Sequence, residues 1–159
     1  MGRRYCVRWI VLVNLRGRVQ LSSHPGRAPA KAPFSFPALN PASAGCRSRR
    51  SALAAARSFI DRGARSVALS LGSDGMLWLA LSDAEPIMVR APVFSGRSTV
   101  GCGDATLAGL AVGSRYKNLR EKAILAVACG AANCLADTPG MIDAKEVKRL
   151  VPLVEVKSL

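Results

Sequence analysis

The sequence predicts an α/β layered fold over residues 51–159, preceded by a basic segment, residues 1–50, without regular structure. Three observations carry this. From Ser51 onward, short apolar runs suited to strands are interspersed with longer segments of helical periodicity. A Gly-x-Gly-Asp turn, Gly101-Cys102-Gly103-Asp104, opens into a run of small and apolar residues that reads as a helix. Finally, the charge is uneven. The chain carries 23 Lys and Arg against 10 acids, and ten of those bases but no acid fall in residues 1–50.

The elements follow in order. Ser51 suits the cap of a helix whose Leu53, Ala56, Phe59 and Ile60 share one face, and Gly63 ends it. Val67 to Leu71 is a short apolar strand. Ser73-Asp74-Gly75 signals a turn, and Met76 to Leu81 returns as a second strand. Ile87 to Arg90 is a third strand, stopped by Pro92. A loop from Val93 to Gly103 leads into the helix after Asp104. Asn118 and Glu121 have capping-box spacing for a helix running to about Leu135. Asp143 and Glu146 repeat that spacing for a last short helix ending before Pro152.

Residues 1–50 are rich in Pro, Ser, Ala and Gly, and their high net charge argues for disorder. The apolar run Trp9 to Leu15 is too short for a bilayer, which takes about 20 residues, and Asn14 interrupts it. Arginines on both sides of it argue against a secretory signal. Three readings remain: an organelle transit peptide, a basic arm that binds nucleic acid through phosphates, or sequence without a function of its own. The third is preferred, because the regular pattern begins abruptly near Ser51, and Arg, Ala, Pro, Gly and Ser are what GC-rich coding DNA tends to give when read out of frame.

The chemistry concentrates at Gly101–Asp104. Glycines let the backbone turn sharply and approach a ligand closely. The first amides of a helix have no intrahelical partner and attract anions. A carboxylate beside a bound phosphate is electrostatically unfavourable unless it takes a proton from an attacking hydroxyl. The alternative is a capped tight turn with Asp104 as the cap. No Gly-x4-Gly-Lys-Ser/Thr occurs, so the turn is not a P-loop, and Thr106 stands where the dinucleotide fingerprint needs a third glycine.

The run Ser98 to Ala111 resembles the second signature of the phosphofructokinase-B sugar kinases, within the ribokinase-like superfamily. Upstream, Ser70-Leu71-Gly72-Ser73-Asp74-Gly75 resembles the family's Ser-Leu-Gly-x-x-Gly nucleotide segment. Downstream, Ala131 to Leu135 and Pro139-Gly140 resemble its C-terminal helix and the turn after it. The resemblance covers roughly residues 51–159 and is closest to the branch that includes tagatose-6-phosphate kinase and 1-phosphofructokinase. It departs at Cys102, where Gly, Ala or Ser is usual.

The resemblance implies part of a ribokinase-like sandwich, its C-terminal nucleotide-binding half, with a parallel sheet cut through its middle and so left with an unpaired edge. It makes Asp104 the catalytic base and the amides of Gly101, Cys102 and Gly103 the anion hole. Ser70, Gly72 and Gly75 would contact the nucleotide, with a plain hairpin turn as the equal alternative. Asn133 would line the adenine pocket; the other reading is a residue bonding locally near a helix end. The implied cofactors are ATP and Mg²⁺, with no residue identifiable as a metal ligand. A phosphorylated hexose is the implied acceptor. The family's N-terminal half, which supplies the sugar site, finds no counterpart in residues 1–50, so little activity is expected from this chain alone.

Other classes are weighed against this. The five cysteines, Cys6, Cys46, Cys102, Cys129 and Cys134, form no C-x-x-C pair, and the only histidine is His24. A structural zinc site and a Ser-His-Asp triad are therefore disfavoured, and reduced thiols suit a cytoplasmic protein. A non-catalytic ATP-binding module, completed by a partner chain or a second copy, is the main alternative. Nucleic-acid binding is weaker, because the charge sits in the first 50 residues and aromatics are sparse. No membrane association is expected.

Overall fold

The computed structural model describes residues 9–13, 19–22, 49–61, 64–81, 85–93, 95–113, 115–116 and 118–159. Its strands are β1 (Trp9–Val13), β2 (Val19–Ser22), β3 (Ser66–Ser70), β4 (Met76–Ala80), β5 (Ile87–Arg90) and β6 (Glu155–Ser158). The helices are α1 (Arg49–Asp61), α2 (Cys102–Gly113), α3 (Leu119–Leu135) and α4 (Ala144–Leu150). The strands form one sheet in the order β2-β1-β3-β4-β5-β6.

Every pairing in that sheet is antiparallel, which corrects the parallel arrangement expected from the sequence. The cause is local. Leu71 donates its amide to the Gly75 carbonyl at 2.8 Å, closing a tight reversal around the single 3₁₀ turn Gly72–Asp74. Gly72 and Gly75 take positive φ, 62° and 96°, a region that glycine enters at no steric cost. At Gly75 the close approach matters as well, since a Cβ there would lie 2.1 Å from the Val89 carbonyl oxygen. A chain reversed within five residues can only pair with itself antiparallel.

Register distributes the core between two faces. Ala68, Trp78 and Ile87 lie side by side across β3, β4 and β5. With Met76, Ala80 and Val89 they pack on Leu110 of α2 and on Ala123, Ala126 and Val127 of α3. On the opposite face, Val67, Leu69, Leu77 and Met88 pack on Ala52, Ala56 and Phe59 of α1. The sheet is thus covered on both sides, which explains why its central strands are nearly continuous apolar runs. A third cluster joins α3 to α4 through Ala128, Ala131, Ala132 and Leu150.

The helix caps hold where the sequence placed them. Asn118 accepts from the Arg120 amide and Asp143 from the Lys145 amide. The first helix differs. It begins at Arg49, so Ser51 lies inside its first turn rather than at its cap. Two stretches within the segment expected to lack regular structure, Trp9–Val13 and Val19–Ser22, are strands. No helix among the described residues is long and apolar enough to cross a membrane.

Candidate active site

The Gly101–Asp104 turn is built by three neighbouring segments. Val100 donates its amide to the Ser98 hydroxyl at 3.1 Å, a side-chain turn that bends the chain toward Gly101. Gly101 takes φ 77° and delivers the chain into α2. The first helical bond follows, from the Ala105 amide to the Gly101 carbonyl at 2.9 Å. Cys102 donates its amide to the Thr99 carbonyl over a long 3.4 Å. Among the described residues, nothing accepts from the amides of Gly101, Gly103 or Asp104. Two of the three amides that the sequence nominated are therefore unengaged, and the amide of Asp104 joins them. The Cys102 amide is partly spent.

Asp104 is the third residue of α2, in its first turn, and its side chain is exposed. The helix begins at Cys102, so Asp104 lies in its first turn rather than at its cap. Among the described residues no hydrogen bond or ion pair occupies its carboxylate. Free amides and a free carboxylate thus meet at one helix end, which favours negative charge. Such a site can hold an anion and accept a proton beside it.

Asn133, near the end of α3, reaches the turn with its side chain. It is buried in α3 with 1% of its surface exposed. Its Nδ2 donates to the Val100 carbonyl at 2.8 Å and lies 3.4 Å from the Cys102 sulfur. Its Oδ1 accepts from the Gly140 amide at 2.7 Å. Both ends of the amide are thereby engaged, by partners 33 and 7 residues away. The loop before the turn is tied to the same helix end, since Arg97 and Ser98 donate their amides to the Cys134 carbonyl at 2.8 and 3.4 Å. Arg97 also pairs with Asp137. The thiol of Cys102 turns inward and donates to the Ser98 carbonyl at 3.7 Å. Ser98 and Gly140, not singled out as site residues, thus shape the turn. The Ser98 signal was readable in its spacing to Val100; the Gly140 partnership spans separate elements and was not.

Ser70 ends β3 and stands opposite Met76, which in turn stands opposite Val89. Strands β3 and β5 run in the same direction with β4 between them, so Ser70, Gly72 and Gly75 share one end of the sheet with Arg90. An ion pair, Arg90 to Asp74 at 3.2 Å, ties the hairpin turn to β5. From Arg90 the chain leads on to Gly101. No hydrogen bond or ion pair among the described residues joins the hairpin turn directly to Gly101–Asp104. Among the described residues no group of three or more His, Cys, Asp or Glu side chains could hold a metal ion.

Residues 35–143 match the model of the pfkB family of carbohydrate kinases, a match that begins inside the basic segment. Several solved structures are similar. A provisionally named phosphofructokinase from Staphylococcus aureus is 29% identical, with a TM-score of 0.62 over 70% of this chain and 36% of that one. Aminoimidazole riboside kinase from Salmonella enterica, solved with aminoimidazole riboside and an ATP analogue, is 26% identical, with a TM-score of 0.54 over 62% of this chain and 35% of that one. Phosphofructokinase-2 from Escherichia coli, solved with potassium, shares the fold at 24% identity and a TM-score of 0.61, over 66% and 34%. The chain spans about a third of the length of these relatives.

Proposed function

The chain belongs to the pfkB family of carbohydrate kinases, and from that membership we propose that it carries the nucleotide and catalytic-base side of ATP-dependent phosphoryl transfer to a hydroxyl of a phosphorylated hexose. The observation that carries the reading is the pairing of an unengaged carboxylate, Asp104, with the unengaged amides of Gly101 and Gly103 at the start of α2. The residues present fit a phosphate: among the described residues three amides lack acceptors, and Gly101 brings backbone rather than side chain to the turn.

ATP, when bound, supplies the γ-phosphoryl group, and Mg²⁺ accompanies it as counter-ion. The chain's own groups do the rest. The amides of Gly101 and Gly103 stabilise negative charge without reorganising, because the fold already aims them. Asp104 accepts the proton of the attacking hydroxyl. Ser70, Gly72 and Gly75 form the nucleotide side at the end of β3, supported by their place at the same sheet end as the strand leading to Gly101. Asn133 supports the turn from beneath. The acceptors to try first are tagatose 6-phosphate and fructose 1-phosphate, followed by fructose 6-phosphate. Free thiols at Cys102, Cys129 and Cys134 suit the reducing cytoplasm.

Calorimetric titration of the full chain with magnesium ATP tests the nucleotide half of the reading. Binding that weakens in Gly103→Val is expected, and affinity unchanged by that substitution counts against the site. Phosphoryl transfer is then assayed with the sugar-binding half of a family kinase added in trans. ATP binding without transfer to any of the three acceptors would leave a nucleotide-binding module and remove the kinase.

A further inference from the structure

We propose that Asn133 is a positioning residue for the phosphate turn, aiming the Gly101 amide by clamping the peptide unit that carries it. The proposal rests on the reading of that turn as the site of the transferred group, and deepens it.

The argument begins with the peptide plane. Val100 and Gly101 share one planar trans unit, in which carbonyl and N–H point in opposite directions. Asn133 Nδ2 holds the Val100 carbonyl at 2.8 Å. With the oxygen fixed toward α3, the Gly101 N–H is fixed away from it, and this amide has no acceptor among the described residues. Gly101 needs such restraint. At φ 77° a glycine has neighbouring wells that it enters at little cost. A Cβ at this position would meet Asn133 Nδ2 and Oδ1 at 3.5 and 3.6 Å and Pro139 Cβ at 3.6 Å, so the glycine sits in contact with the side chain that restrains it.

The other end of the same side chain explains why an amide is required. Oδ1 accepts from Gly140 at 2.7 Å, in the turn closed by the Met141 amide on the Thr138 carbonyl. One buried group must therefore donate to one loop and accept from the other. A leucine of similar size would be cheaper to bury, because a buried amide costs stability unless both its ends are bonded. Neither Asp nor Leu can reproduce the pair of bonds. Asn133 thus links α3 to both the 100–103 turn and the 138–141 turn.

The test uses the full chain, labelled with ¹⁵N, and the magnesium complex of adenylyl imidodiphosphate. In the wild-type chain the probe is expected to shift the Gly101 and Gly103 amide resonances. Asn133→Leu loses both bonds, whereas Asn133→Asp keeps the acceptor for Gly140 and loses the donor to Val100. Both variants are expected to bind about tenfold more weakly or worse. The Gly101 response should be lost in both while α2 and α3 keep their amide protection. Wild-type affinity in either folded variant, with the Gly101 shift intact, overturns the proposal. So does wild-type binding that leaves Gly101 unmoved, a result that needs no variant. If the wild-type chain binds no probe, the reading of the site falls, and the proposal falls with it.

Discussion

Asp104 combines a stabilising place with an unfavourable neighbour. At the first turn of α2 its charge complements the helix dipole by about 0.3–1 kcal/mol. Beside a bound phosphate the same charge is repulsive. Asp104→Asn is therefore expected to leave ATP affinity unchanged or slightly higher, with only a small fall in melting temperature. Phosphoryl transfer should drop on the order of 10²-fold or more, because Asn cannot take the hydroxyl proton. Turnover measured with the sugar-binding half added checks this, and near-normal turnover removes Asp104 as the base. A second prediction concerns Cys134. Its burial, reinforced by the charge and hydrogen bond of the Cys102 thiol, pushes its thiol up from 9.0 to about 11. The folded value lies above the unfolded one, so the contribution to stability is full below pH 9 and is lost as pH rises to about 11. The melting temperature of the wild type relative to Cys134→Ala should fall over that interval, and a constant difference would show that the thiol does not titrate with folding. At this scale the turn residues were legible because glycine and aspartate carry their chemistry locally. The use of Asn133 was not, because its partners are fixed only by how α3 packs against two distant loops.

The contact between α2 and α3 is made from small residues. A Cβ on Gly109 would lie 2.7 Å from the Ala126 Cα, and one on Gly113 would lie 3.2 Å from the Lys122 Cα. The helices approach this closely because both positions lack a side chain. Gly109→Leu gains about 1 kcal/mol of helix propensity but inserts a side chain against backbone, where overpacking costs about 1–3 kcal/mol. Packing wins. The variant should melt several degrees lower and bind nucleotide more weakly, whereas Ala108→Leu, on the exposed side of the same helix, should do neither. Thermal melts of the pair decide it, and equal melting temperatures would show that the two helices part without cost. Strands β3, β4 and β5 and the caps Asn118 and Asp143 were readable within about a residue, since alternation and capping side chains act over a few positions, whereas β1, β2, β6 and the starts of α1 and α2 were not. Pairing direction was not read correctly. The hairpin residues Gly72 and Gly75 were identified as a turn, yet the family resemblance drew the expectation toward a parallel sheet.

At the scale of the whole molecule, the sheet distributes its strands unequally between middle and edge. Strands β3, β4 and β5 are sandwiched between α1 on one side and α2 with α3 on the other. In β3, residues Ser66 to Leu69 are all buried. Its outer backbone edge pairs with β1, from Trp9 opposite Ser70 to Val13 opposite Ser66. That pairing gives part of the basic N-terminal segment a structural role that its composition did not announce, since five apolar residues among arginines resemble a failed signal as much as a strand. Without β1, the β3 edge would present a row of unpaired amides and carbonyls on a strand apolar on both faces, the arrangement most open to pairing with another chain. A chain lacking residues 1–22 is therefore expected to unfold at lower urea and to self-associate, and the Val67 to Leu69 amides should exchange faster than in the full chain. Sedimentation velocity, a urea titration and amide exchange measure the three effects. A truncated chain that stays monomeric with an unchanged urea midpoint would show that β1 adds nothing to the sheet. Faster exchange confined to β3 would place the stabilisation at that edge and leave the α2–α3 layer, and the turn it supports, independent of the N-terminal strands.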